Sequence, residues 1–64
     1  MNNKVLRLKA VKDSTGLSRS SIYAMIKNRE FPSNISLGSR SVGWLESDIQ
    51  KWIDSRIHKS RLGV

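Results

Sequence analysis

The stretch from Gly16 to Arg29, GLSRSSIYAMIKNR, constrains the fold more than any other part of the chain. Gly16 takes the left-handed backbone of a tight inter-helix turn at no steric cost. Ser18 is suited to cap the helix that follows, because its hydroxyl accepts a bond from an amide of the first turn. Leu17 before the cap and Ile22 four residues after it have the spacing of a hydrophobic staple. On a wheel of about 100° per residue with Ile22 inward, Met25, Ile26, Arg29 and Ser18 share the inner side. Ser20, Tyr23, Ala24 and Lys27 then face outward, with Arg19 at the edge near the N-terminus. A solvated helix more often mixes Glu with Lys at i,i+4 spacing, yet residues 16–29 contain no acid. Ser20 and Ala24 are small enough for the helix to approach a groove closely, and Arg19, Tyr23 and Lys27 ring them with donors. This face suits the major groove of a duplex.

The flanking segments complete a familiar arrangement. Met1 to Lys4 is polar and expected to fray, and Val5 to Leu8 supplies apolar residues that can anchor the N-terminus or form a short extended lead-in. Residues 9–15 read as a two-turn helix with Leu8, Val11 and Thr15 on one side and Lys9 and Lys12 on another. So short a helix does not persist alone in water and must dock on its neighbour. The pair makes a helix-turn-helix, with Lys9 and Lys12 as candidate phosphate contacts.

Downstream, Pro32 closes the second helix and Phe31 is a candidate core aromatic. Ile35, Leu37, Val42 and Trp44 alternate around Gly38-Ser39-Arg40-Ser41, which predicts a β-hairpin. A four-residue loop would pair Leu37 with Val42 and Ile35 with Trp44, all on the face toward the helices. Arg40, flanked by Ser39 and Ser41, then projects as a wing toward a phosphate or the minor groove. A last helix is expected over residues 47–59. Ser47 and Gln50 have capping-box spacing, and Ile49, Trp52, Ile53 and Ile57 form an apolar stripe. Both tryptophans fall on inward faces and read as core pillars. Glu46, Asp48 and Asp54 would repel a phosphate backbone, so this side is read as facing away from nucleic acid. Arg56, Lys59 and Arg61 are then tail charges acting at long range.

Length and charge bound the function. Sixty-four residues hold one small domain, with an ordered core expected over about residues 6–58. Twelve Lys and Arg against five Asp and Glu give a net charge of +7, and polyanions are the usual partners of such a surface. No cysteine is present, which excludes disulfides and cysteine-ligated zinc and fits a reducing cytoplasm. The single histidine, His58, offers no metal site, and no cofactor motif is found. Paired carboxylates, a nucleophile–base pair and a phosphate loop are all missing, so an enzyme is not expected. No apolar run approaches the ~20 residues of a membrane span, and a soluble protein is expected.

The run Leu8-Lys9-Ala10-Val11, then Thr15 to Tyr23 (TGLSRSSIY), then Phe31-Pro32, Leu37-Gly38, Val42-Gly43-Trp44, Ile49 and Trp52 closely resembles the AlpA-type prophage regulators. These are small winged-helix proteins related in fold to excisionases and to the DNA-binding heads of MerR-type regulators. The resemblance covers roughly residues 6–57 and implies an α+β winged helix-turn-helix with two N-terminal helices, a hairpin wing and a C-terminal helix. It also implies sequence-specific binding of double-stranded DNA by a bacterial, cytoplasmic, nucleoid-associated protein. In the family the second helix enters the major groove and the wing meets backbone or minor groove. Carried over, Ser18, Arg19, Ser20, Tyr23 and Lys27 belong to the groove helix, and Ser39, Arg40 and Ser41 to the wing. The expected targets are integrase promoters, or attachment-site arms where a recombination directionality factor turns integrase toward excision. Integrase itself is a possible partner, and a monomer in solution could assemble cooperatively on DNA. The alternative from another class is a protein-interaction module acting on an integrase or transcription factor directly. One departure stands out: many relatives have glycine just before the phenylalanine, where this chain has Asn28-Arg29-Glu30-Phe31, so the exit from the groove helix is expected to be less sharp.

Overall fold

A computed structural model describes residues 4–62; of the segment expected to fray, residues 1–3 lie outside them, whereas Lys4 is tied in, its carbonyl accepting from the Glu46 amide. The elements run β1 (Val5–Leu6), α1 (Leu8–Thr15), α2 (Arg19–Lys27), β2 (Ile35–Gly38), β3 (Ser41–Leu45) and α3 (Glu46–Leu62). This is the α+β architecture of a small winged helix-turn-helix, with the lead-in residues recruited as a third strand. The antiparallel sheet has the order β1-β3-β2.

The core draws one buried side chain from nearly every segment: Val11 of α1, Ile22 of α2, Phe31 of the connection, Trp44 of β3 and Ile49 of α3. None of the helices could bury an apolar face alone, and all converge on Trp44. Its indole Nε1–H donates to the Pro32 carbonyl at 3.0 Å, which satisfies a donor that burial would otherwise strand. Trp52 is half-buried. Its Nε1–H donates to the Glu30 carbonyl at 2.8 Å, and its ring meets Phe31 edge-on with centroids 4.9 Å apart. The two indoles therefore tie down the 30–32 segment at both its ends.

The hairpin differs from the expected pairing. Ile35 lies opposite Gly43, Ser36 opposite Val42 and Gly38 opposite Ser41, with a bulge between Ser36 and Gly38. The turn is thus the tighter Ser39-Arg40, with Arg40 at φ 59°. A shift of one residue moves side chains to the other face of a sheet. Ile35 and Leu37 consequently stay exposed, at 38% and 42%, while Trp44 is wholly enclosed.

Gly43 faces this outer side, and the two flanking strands close over it. A Cβ there would lie 2.5 Å from Val5 Cγ1, 3.0 Å from the Leu6 carbonyl oxygen and 3.1 Å from Leu37 Cδ1. Two of these neighbours are side chains that could shift, but the third is backbone. Gly43→Ala is therefore expected to lift β1 from the sheet and cost about 1–3 kcal/mol, the usual range for overpacking. A thermal melt checks this: a domain of this size loses roughly 4–8 °C per kcal/mol, and a melting temperature equal to the parent's would refute the clash.

The start of α3 also departs from expectation. Ser47 and Gln50 form no capping box, and Gln50 Nε2 donates to Asp54 instead. Strand β3 runs straight into the helix, and the Glu46 amide is satisfied by the Lys4 carbonyl at 2.8 Å. The Glu46 carboxylate lies 3.7 Å from Lys4 Nζ. The residue before β1 thus ties down the first amide of the helix. At its other end α3 outruns the core, so Ile57, expected in the apolar stripe, is 45% exposed.

Candidate nucleic-acid interface

The turn between α1 and α2 follows from Thr15, Gly16 and Ser18. Gly16 is left-handed (φ 75°) and its amide donates to the Lys12 carbonyl at 2.8 Å. Thr15 Oγ1 donates to the Val11 carbonyl and accepts from the Leu17 amide. Ser18 is extended and its hydroxyl accepts from the Ser21 amide at 3.2 Å. The same hydroxyl also donates to Ser21 Oγ and lies 3.3 Å from Ser20 Oγ. Ser18 is thus engaged as a cap, and its contribution to any interface is to fix where α2 begins.

On α2 the enclosed residue is Ile22, with Met25 and Ile26 half-buried beside it. Arg19, Ser20, Ala24 and Lys27 are exposed. Tyr23 has a double position. Its ring is half-buried and meets Trp44 edge-on at 6.3 Å, while the Arg19 guanidinium lies over it at 5.3 Å. The ring transmits the rigidity of the core to Arg19 and limits the rotamers the guanidinium explores. Ser18, Arg19, Ser20 and Tyr23 together line a shallow concavity of about 580 Å³. Lys27 follows one turn beyond Tyr23.

The remaining sequence-predicted residues lie outside that concavity. Ser39 and Arg40 are exposed at the hairpin turn, whereas Ser41 is half-buried and engaged in the β3 ladder opposite Gly38. Lys9 and Lys12 are exposed on α1.

The exit from α2 corrects an expectation. Arg29, placed on the inner side by the helical wheel, has left the helix and is exposed at φ 59°. Its amide donates to the Ile26 carbonyl at 3.0 Å, and the Glu30 amide donates to the Met25 carbonyl at 2.7 Å. These two bonds make a Schellman motif, with arginine at the left-handed position that glycine usually fills. The exit is as sharp as a glycine would give, at a conformational cost of about 1 kcal/mol for a residue bearing a Cβ. The wheel missed this because it extends the helical period past the last helical residue, which is Lys27.

Known sequences are similar to this chain over most of its length. The protein named "Uncharacterized protein ORF88" of Enterobacteria phage P4 is 42% identical over 60 residues, covering 94% of this chain and 68% of its own. The protein named DNA-binding transcriptional activator AlpA of Escherichia coli (strain K12) is 38% identical over 66 residues, covering 88% of this chain and 94% of its own. The family model described as prophage CP4-57 regulatory protein (AlpA) matches residues 4–57, from the residue before β1 into the exposed half of α3. With residues 4–57 matched by the family model and a relative 38% identical over 88% of the chain, this chain belongs to the AlpA family of prophage regulatory proteins.

Proposed function

We propose that this protein binds double-stranded DNA sequence-specifically and regulates a prophage or genomic island. In this reading α2 lies in the major groove, the Ser39-Arg40 turn reaches backbone or minor groove, and Lys9 and Lys12 sit on flanking phosphates. The observation that carries it is the outer face of α2, exposed, free of acids and fixed to the core through Tyr23. A net charge of +7 supplies the long-range attraction, and a relative is itself named a DNA-binding transcriptional activator. No chemical step is required of the protein. Phosphate contacts register it, a few side chains read base edges, and several copies meeting on DNA could bend the site. Its targets would be an integrase promoter, where it acts on transcription, or attachment-site arms, where it steers integrase toward excision. It would do so in the bacterial cytoplasm, on the nucleoid.

Footprinting on duplexes carrying the integrase promoter and the attachment site of the resident element tests the reading and separates its two roles. Protection of neither sequence above background would overturn it. The wing is tested separately. Arg40→Ala is expected to lower the slope of log K against log salt by about one unit and to weaken binding uniformly across sequences. A slope equal to the parent's would remove Arg40 from the interface.

A further inference from the structure

Among the described residues, the two non-glycine residues with positive φ are both arginines, Arg40 at the hairpin turn and Arg29 at the exit of α2. Backbone strain retained at a side-chain-bearing residue points to a use for that side chain. Arg29 borders an open cleft of about 780 Å³ between the 29–33 segment and α3. Lys51, Arg56 and Lys59 of α3 line the facing wall. The Arg56 guanidinium rests on the Trp52 ring at 5.0 Å, and that ring is itself held by Phe31 and the Glu30 carbonyl. The guanidinium is thereby positioned in advance, with its N–H edge left for a ligand. Among the described residues, none of these four cations has a carboxylate within ion-pair distance. Glu30 and Asp48 also border the cleft, so four positive charges face two negative ones.

We propose that this cleft is a clamp for backbone phosphate on the same duplex that α2 reads, an inference that rests on the function proposed above. Continuity with α2 selects the occupant. Nine helical residues span about 13.5 Å, comparable to the ~12 Å width of the major groove. The C-terminal end of α2 therefore comes close to a strand bordering the groove, and Arg29 lies two residues beyond that end. A pair of guanidinium forks matches phosphate oxygens in a way that isolated ammonium groups do not. This replaces the expectation that α3 turns away from nucleic acid. Of its three acids, Glu46 and Asp48 sit in the first turn and Asp54 accepts a bond from Gln50 Nε2, while Arg56 and Lys59 lie two to three turns beyond the helix start.

The test compares Arg29→Gly, Arg29→Lys, Arg56→Gln and the Arg29→Gly/Arg56→Gln pair with the parent. Binding to a mixed-sequence duplex of about 30 base pairs is measured across a salt series, alongside melting temperatures. Each charge-removing single variant is expected to lower the salt slope by about 0.9, and the pair by about 1.8. Arg29→Lys is expected to stay near the parental slope. Arg29→Gly should melt no lower than the parent, because glycine relieves the left-handed backbone, so weaker binding would accompany an intact fold. Unchanged slopes in both single variants would overturn the clamp. So would unchanged slopes together with loss of binding to a polyglutamate peptide, which would assign the cleft to an acidic partner. A parent without affinity for any duplex would remove the proposed function and this inference with it, whereas a binding parent with unaltered variants removes only the clamp.

Discussion

Trp44→Ala is expected to leave the domain unfolded, or close to its midpoint, at room temperature. Removing a wholly buried tryptophan costs about 3–5 kcal/mol, and a chain of this length has only roughly 3–10 kcal/mol to lose. Three features place Trp44 at the upper end of that range. It is completely enclosed in the structure, so the vacated space adjoins the buried side chains from all three helices. Its Nε1–H bond to Pro32 disappears, leaving that carbonyl without its indole donor. The edge-on contact that seats Tyr23 goes as well, so α2 loses its anchor on the sheet. Circular dichroism during heating is the measurement, with a fall of roughly 12–40 °C expected from the size of the domain. Trp44→Phe keeps most of the ring volume and gives up the donor, and should lie well between the two. A drop under about 5 °C for the alanine variant would show that the core is not centred on this residue.

The same residue shows why part of this fold was readable in the sequence and part was not. Gly16 and Ser18 act through bonds to residues three or four positions away, so the turn and cap were visible in local order. Val11, Ile22 and Ile49 fall on their inward faces because helical period alone dictates it. The hairpin register was harder. Alternation at 35, 37, 42 and 44 is compatible with two pairings that differ by one residue. What decided between them was the bulge at Ser36 and Gly38, together with strand β1 closing over Gly43 from the other side. That second partner is distant in sequence, and the period of two carries no trace of it. The start of α3 shows the same limit, since the bond that ties it down comes from the distant Lys4 carbonyl to the Glu46 amide and not from the locally spaced Ser47 and Gln50. In the candidate interface, the exposed face of α2 was readable from its lack of acids. The position of Arg29 was not, because it depends on where the helix stops rather than on how it repeats.

Arg19→Ala combined with Lys27→Ala is the change expected to affect DNA binding most. Both side chains are exposed, so the fold should survive; the stacking of Arg19 on Tyr23 is worth about 0.5–1 kcal/mol at such a site. The two positions are eight residues apart on one helix, about 12 Å along its axis. At that separation their contributions should add. A base-reading arginine is worth about 1–3 kcal/mol and a phosphate-bound lysine about one unit of salt slope. The arginine's share alone should therefore weaken binding to the preferred site by roughly 5- to 140-fold, converting at about 1.4 kcal/mol per tenfold, and loss of the lysine contact adds to this most at low salt. The single variants ought to differ in kind. Arg19, near the helix start where base edges are read, should lose discrimination between preferred and scrambled duplexes. Lys27, in the last turn, should lose affinity equally for both and flatten the salt dependence. Gel-shift or anisotropy titrations on the two duplexes, at two salt concentrations, separate these effects. If both single variants bind as the parent does, α2 is not the reading helix, and the interface must be sought on another face of the protein.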